Sequence, residues 1–385
     1  AAMYKSFSEK YEHKVPVYGV PVRGREVFGV LHLKGMVVDE KLFYTGASIN
    51  DIYLHQGERY RLDRYCTINS AVLADSFCHY LTDTFIKSGL APLLNQEWLP
   101  DVVEQKKNLI ALKLKLKKSH YNIAQQHGFS QSNLVRDKAF ITPLVGFGRR
   151  KNELNRATRQ LVQKADSNMV LFTPYFNLPH SLAKDVIRAL KRGVKTTVVV
   201  GDKTANDFFI GNDEDFSTIG IIPYVYEMLL KRFVKRYQNF IDKGLLNIHL
   251  WQHDDNSFHL KGIISDDRYH MLTGSNLNPR AWRLDFENGL LIDDQDSQLM
   301  GLFEQEYKKI IEHTKVIENW QQIETQRDYP PTVQKWLTRL RWTRLDRALH
   351  WSMAFTFLTL AFSGLMLVYG KHFLKPYVPT EFWGF

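Results

Sequence analysis

His32-Leu33-Lys34-Gly35-Met36-Val37-Val38-Asp39 and His259-Leu260-Lys261-Gly262-Ile263-Ile264-Ser265-Asp266 are two copies of one pattern, H-x-K-x-x-x-x-D. The likeness continues beyond the motif. Thr45-Gly46 with Asn50 answers Thr273-Gly274 with Asn278, displaced by one residue. Tyr60-Arg61-Leu62-Asp63 answers Trp282-Arg283-Leu284-Asp285 after a longer insertion. One such motif arises easily by chance. Two copies, each followed by a strand and a Thr-Gly-x-x-x-Asn turn, point to a duplicated fold with one site built from two halves.

Working outward, residues 4–15 are polar and predict a short helix, and Val15 to Ala47 reads as successive strands. Asp39-Glu40 makes a hairpin turn, so the first motif lies on a strand, with His32 and Lys34 on one face by the period of two. Residues 70–90 and 101–126 have helical periodicity, and Gly146-Phe147-Gly148-Arg149-Arg150-Lys151 marks a turn between domains. From Asn168 the pattern alternates: a strand from Met169, a helix over 180–193 ended by Gly193, a strand from Lys195, a helix over 221–243 and a strand from Leu246. Such alternation implies a parallel or mixed sheet with helices on its faces. A long helical segment is expected over 297–324, closed by Tyr329-Pro330-Pro331.

The expected fold class is α/β, with two pseudo-repeated α/β/α lobes and mixed sheets. The lobes span 1–148 and 149–328, followed by a basic amphipathic linker over 329–350, a transmembrane helix over 351–369 and a tail over 370–385. The copies are unequal: strand–helix–strand–helix–strand precedes His259, whereas only 31 residues precede His32. The first lobe is therefore expected to be truncated at its N-terminus, with an unpaired sheet edge.

The chain has 385 residues, of which 44% are hydrophobic and 24% charged, a globular composition. Its formal charge of +10 favours acidic partners: anionic lipid, nucleic acid or a phosphorylated substrate. Two cysteines, Cys66 and Cys78, exclude a disulfide framework and fit a reducing compartment. The N-terminus lacks the apolar core of a signal peptide. Lys113-Leu114-Lys115-Leu116-Lys117-Lys118 and the stretch 335–347 are basic. Trp351 to Tyr369 runs 19 residues without a charge, near the minimum for a membrane span. Arg339, Arg341, Arg344 and Arg347 before it place the preceding domain on the cytoplasmic side, at the inner face of the membrane.

A paired His, Lys and Asn suit phosphoryl chemistry. One neutral imidazole attacks phosphorus, the second handles the proton, and the covalent intermediate splits one displacement into two. Lys34 and Lys261, each two residues from a histidine, would aim their ammonium groups at the same phosphate. No metal-ligand cluster is apparent, and no cofactor is needed. Asp39 and Asp266 complete the motif as candidate catalytic groups, but they sit in hairpin turns, where aspartate is common for turn reasons alone.

Gly46 to Gln56, Arg61-Leu62-Asp63-Arg64-Tyr65 and Thr273 to Asn288 together resemble the bacterial phosphatidylserine synthases of the phospholipase D superfamily, over about residues 4–345. The resemblance implies a phospholipase D-like fold and transfer of a phosphatidyl group from CDP-diacylglycerol to L-serine, releasing CMP through a phosphatidyl-histidine. It implies His32 as nucleophile and His259 as acid/base. Lys34, Lys261, Asn50, Asn278 and Ser275 would hold the phosphate, and Glu287 would orient a histidine from behind. It also implies a membrane surface or ribosomal RNA as partner for the basic charge. The alternatives are another enzyme of the superfamily (cardiolipin synthase-like transferase, phospholipase or nuclease) and an inactive fused remnant. From about residue 342 the likeness changes: Leu349-His350-Trp351 and Leu360-Ala361-Phe362-Ser363-Gly364 are similar to the first span of the formate dehydrogenase cytochrome b subunit, which would make His350 a haem ligand and the chain a fusion.

Overall fold

The computed structural model describes residues 2–11, 15–21, 29–95, 101–118, 139–211 and 214–340, with 351–353, 355 and 358–359. It divides into two units, Ala1–Thr325 and Gln326–Phe385, and both motif copies lie in the first.

After the polar helix α1 (Ala2–Lys10), the first hairpin joins β1 (Met36–Val38) to β2 (Lys41–Thr45). Beyond the short β3 (Arg61–Leu62), β4 (Tyr65–Asn69) pairs antiparallel with β2 and completes a three-stranded sheet, β1-β2-β4. Helix α2 (Ala71–Leu81) starts at Ser70, whose side chain caps the Leu73 amide, and buries Leu73, Ala74, Phe77 and Tyr80. A π-helical turn, Thr82–Ile86, follows it, and then α3 (Val102–Lys118).

The second half builds the larger layer. In chain order come β5 (Phe140–Phe147), α4 (Glu153–Lys164), β6 (Asn168–Thr173), α5 (His180–Arg192), β7 (Lys195–Gly201), α6 (Ile222–Asp242) and β8 (Leu246–Trp251). Then follow β9 (Ser257–Phe258), β10 (Gly262–Ser265), β11 (Tyr269–Thr273), α7 (Pro279–Arg283), β12 (Phe286–Asp293), α8 (Met300–Ile311), β13 (Thr314–Ile317) and α9 (Pro331–Leu340). Eight of these strands form one mixed sheet in the order β13-β8-β7-β6-β10-β11-β12-β5, parallel only through β6, β7 and β8. Helices α4 and α5 cover one face, packing Leu154, Val162, Leu182 and Val186 with Met169, Leu171, Ile263 and Met271. A second cluster joins Leu42, Tyr44, Leu73 and Phe77 of the small sheet and its helix to Leu272, Leu290 and Ile292 of the large one. Each such side chain contributes roughly 1.5–3 kcal/mol of burial, which locks the halves together.

The displacement of one residue between the copies is a difference in hairpin length. Val38 faces Lys41 across a two-residue loop in the first copy, and Ser265 faces Tyr269 across three residues in the second. Asp39 and Asp266 each begin that loop with positive φ, 52° and 54°, a conformation that aspartate tolerates.

Several expectations change. Val15 to Val20 is not a strand: its one ladder contact is an isolated bridge from Tyr18 to Leu93, and 22–28 lie outside the described residues. The first motif's histidine is likewise outside regular strand, in an extended segment whose Leu31 bridges Phe286. The 297–324 helix is instead α8, then β13, then a short 3-10 turn at Trp320–Gln322, because Thr314 to Ile317 takes the open edge of β8. Pro331 opens a helix rather than closing one, since proline suits the first helical position. Although β5 falls within 1–148, it pairs along its length with β12 of the large sheet. Among the described residues the outer edge of β1 has no strand neighbour, whereas its counterpart β10 pairs with β6. The 101–126 helix is described to Lys118, and most of 351–369 and all of 341–350 and 370–385 lie outside the described residues. No helix among the described residues is long and apolar enough to cross a membrane, and the expected span 351–369 lies mostly outside them.

Candidate active site

Each histidine is set by a parallel pairing with a strand of the other half. β3 pairs with β9 in parallel, Leu62 opposite Phe258, and the His259 amide donates to the Leu62 carbonyl at 2.8 Å. The next residue along, Asp63, therefore lies beside His259. In the other copy Leu31 bridges Phe286 in parallel and the His32 amide donates to the Phe286 carbonyl at 2.9 Å, which brings Glu287 beside His32. The structural counterpart of Asp63 is thus Glu287, not Asp285. Asp285 instead accepts the Val30 amide at 3.0 Å and pairs with Arg280 at 3.3 Å.

His32 Nδ1 lies 2.9 Å from Glu287 Oε2, and His259 Nδ1 lies 2.9 Å from Asp63 Oδ2. A carboxylate behind Nδ1 orients an imidazole and leaves Nε2 for chemistry, as in hydrolase triads. The second histidine is the more enclosed. The Tyr53 hydroxyl is 2.7 Å from its Nδ1, Lys261 Nζ also abuts that nitrogen, and Lys261 Nζ donates to Asp63 Oδ2 at 3.0 Å. Lys34 Nζ donates to Ser48 Oγ at 3.1 Å, and Asn288 clamps the Lys34 backbone by donating to its carbonyl at 2.8 Å and accepting its amide at 2.9 Å.

Burial and charge set the protonation states. Burial, with the Lys261 ammonium beside it, pulls His259 down to about 4 against the pull of Asp63, so it is neutral near pH 7. Burial raises the Asp63 carboxyl, but Lys261 and His259 outweigh it and hold the group below the usual carboxylate range. Burial lifts Glu287 above its ordinary value, with His32 opposing. Burial lowers both Lys34 and Lys261, and each ammonium feels both Asp63 and Glu287, which ties the halves into one electrostatic unit.

The remaining candidates fall in two groups. Asn50 accepts the Tyr53 amide at 3.2 Å, and Asn278 accepts the Ala281 amide at 2.9 Å as the cap of α7; both side-chain oxygens hold the turn after Thr-Gly. The Ser275 amide donates to Thr273 Oγ1 at 3.0 Å, as the Ala47 amide does to Thr45 Oγ1 in the other copy. The aspartates lie at the far ends of β1 and β10 from the histidines. Asp266 accepts the amides of Asp166, Ser167 and Asn168 at 3.1, 2.8 and 3.2 Å and the Ser167 hydroxyl at 2.9 Å, which is turn work. Asp39 is exposed in its turn. His350 lies outside the described residues. Asp63, Tyr53, Ser48 and Asn288 escaped the sequence reading. Asp63 was within reach, since strand pairing relates it to Glu287; the shared Arg-Leu-Asp text aligns it two residues too early.

The family model described as "Cardiolipin synthase, PLD-like domain" matches residues 158–311. The chain is 40% identical over 333 residues to the CDP-diacylglycerol–serine O-phosphatidyltransferase of Escherichia coli, covering 86% of this chain and 72% of that one. It is 41% identical over 332 residues to the enzyme of the same name from Haemophilus influenzae, covering 86% and 71%. The crystal structure of the phosphatidylserine synthase from Haemophilus influenzae superposes with a TM-score of 0.82 at 39% identity, covering 90% of this chain and 76% of that one.

Proposed function

The chain belongs to the bacterial phosphatidylserine synthases of the phospholipase D type, and from that premise we propose how its own residues move a phosphatidyl group from CDP-diacylglycerol to L-serine with release of CMP. His32 Nε2 attacks the phosphorus that carries the diacylglycerol, the P–O bond to CMP breaks, and a phosphatidyl-histidine forms. CMP departs as a phosphate, whose second pKa is about 6, so it needs little protonation to leave. Serine's hydroxyl is the harder group. A neutral His259 is suited to take its proton as the Oγ–P bond forms and the bond to His32 breaks. Lys34 and Lys261 neutralise the non-bridging oxygens. In this reading Glu287 and Asp63 position the two imidazoles, Ser275, Asn50 and Asn278 shape the phosphate cradle, and Asp39 and Asp266 fix the hairpins at the far ends of the motif strands.

The observation that carries this reading is the exchange of partners, each motif histidine backed by a carboxylate from the opposite half. The lipid substrate requires work at a membrane surface, and we place it on the inner face of the cytoplasmic membrane. The net charge of +10 and the basic stretches 113–118 and 335–347 supply attraction to anionic lipid. The apolar run 351–369 would add a C-terminal anchor, and ribosomal RNA is the competing partner for the same charge.

The test is CMP release from CDP-diacylglycerol with and without L-serine, together with trapping of labelled phosphatidyl on the protein. Serine-dependent release and an adduct lost in His32→Ala are expected. Serine-independent hydrolysis alone, or DNA cleavage, would move the protein to another activity of the superfamily; a folded protein that forms no adduct would make it an inactive remnant.

A further inference from the structure

Asp207 and Arg61 stand beside the reaction centre, outside the groups that act on the phosphate. Asp207 lies in the loop after β7, and that loop is fastened to the second motif by the Phe258 amide donating to the Ala205 carbonyl at 2.9 Å. This brings Asp207 Oδ2 to 4.0 Å from Nε2 of His259, the ring nitrogen that faces away from Asp63. The carboxylate is mostly enclosed, with 11% of its side chain exposed. Oδ2 accepts the Tyr175 hydroxyl at 2.7 Å. Oδ1 is 2.8 Å from Arg61 Nε, yet among the described residues it receives no directed hydrogen bond, because that N–H donates to Ser257 Oγ at 3.2 Å. The Arg61 guanidinium lies over the Tyr53 ring, 5.0 Å from its centre, and Tyr53 in turn touches His259.

Arg61 answers the charge on the Oδ1 side. Oδ2, which accepts only the Tyr175 hydroxyl among the described residues, is the oxygen turned to Nε2 of His259, and it has room for a second cationic donor there. L-Serine carries an ammonium and a carboxylate on the carbon next to its reacting hydroxymethyl group. The Asp207–Arg61 pair offers the two opposite charges side by side.

We propose that Asp207 and Arg61 form the acceptor subsite, Asp207 receiving the ammonium of L-serine and Arg61 its carboxylate, an inference that rests on the synthase reading above. Hydrogen bonds of about 2.8 Å from the hydroxyl to Nε2 and from the ammonium to Oδ2 are compatible with the 4.0 Å gap between those atoms. Docked so, the hydroxyl proton passes to His259 as the oxygen bonds to phosphorus. Water and simple alcohols bring neither an ammonium for Asp207 nor a carboxylate for Arg61, so the subsite selects serine by charge complementarity rather than by shape.

The experiment compares L-serine with glycerate, which has the hydroxyl and carboxylate but no ammonium, using the full chain and CDP-diacylglycerol in mixed micelles. Asp207→Asn is expected to raise KM for L-serine at least tenfold, with a smaller change in kcat. It should also lower the serine-over-glycerate preference by a similar factor and divert product from phosphatidylserine to phosphatidic acid. Asp207→Glu should recover part of the serine preference. Tyr175→Phe, which removes one hydrogen bond to the same carboxylate, should raise KM about threefold and provides the reading if Asp207→Asn does not fold. An unchanged serine KM, or equal loss of transfer and hydrolysis, would overturn the subsite and leave Asp207 as a group positioning His259. Absence of serine-dependent CMP release in the unaltered protein would instead remove the synthase reading, and the subsite with it.

Discussion

Asp63 joins Lys261 and His259 of the opposite half, with only 2% of its side chain exposed. Asp63→Asn would leave the wholly buried Lys261 ammonium without its counter-ion. Removing one partner of a buried pair costs about 3–5 kcal/mol, so the urea midpoint should fall accordingly and turnover by at least a hundredfold. Glu287→Gln has a milder expected cost in stability, because burial already favours the uncharged carboxyl there, and its effect should appear chiefly in turnover. A fall in stability as large as that of Asp63→Asn would contradict this contrast. Histidines also set the acid limit. His270 is buried flat against Phe303, ring centres 3.7 Å apart, and neither ring nitrogen has a hydrogen-bond partner among the described residues. Burial, with Arg64 nearby, pulls it from 6.5 down to about 4. The unfolded chain therefore binds the proton first as pH falls. His270 contributes its full share above pH 6.5 and loses it between 6.5 and about 4, up to about 3 kcal/mol. His259 adds the same sign over the same window. In His270→Phe, denaturation titrated from pH 7 to 4 should show a shallower loss than in the parent; an identical slope would show that His270 does not titrate on unfolding.

At the scale of elements, the glycine after each motif lysine explains how the strand turns from the site into the sheet. Gly35 has φ of 118° and Gly262 of 154°, and each faces the carbonyl of a residue on the paired strand. A Cβ on Gly262 would lie 2.6 Å from the Met271 oxygen, whereas on Gly35 it would lie 3.3 Å from that of Phe43. Gly262→Ala is accordingly expected to lower stability by about 2–3 kcal/mol and to displace Lys261, with Gly35→Ala milder; thermal melts of the two variants give the ranking. These glycines were visible in both copies of the text, but their reason was not, because it lies in the neighbouring strand. The 297–324 segment teaches the same lesson in reverse. Its periodicity suits a helix, yet Thr314 to Ile317 is strand because β8 presents an open edge to it. Local preference is weak beside a row of unpaired backbone groups.

At the scale of the molecule, the exchange of carboxylates makes the halves interdependent. Stability cycles should find coupling of about 1 kcal/mol or more between Asp63 and His259 and between Glu287 and His32. The crossed combination Asp63 with His32, whose members share no hydrogen bond, should be additive to within about 0.5 kcal/mol. Equal coupling in all combinations would mean that the site responds as one plastic cluster rather than as two braced imidazoles. The large sheet also crosses the boundary suggested at residue 148, because β5 belongs with β12.

By itself the sequence determined the duplication, the histidine and lysine pair of each copy, the alternation of strands and helices after Asn168, and the family. These follow from side-chain identity and local period, which are written in the chain. The tertiary structure alone decided which carboxylate stands behind which histidine and that Asp207 reaches the reaction centre. Those facts depend on pairing between residues distant in sequence, 196 positions for Asp63 and His259, and no local pattern records the register in which two distant strands meet.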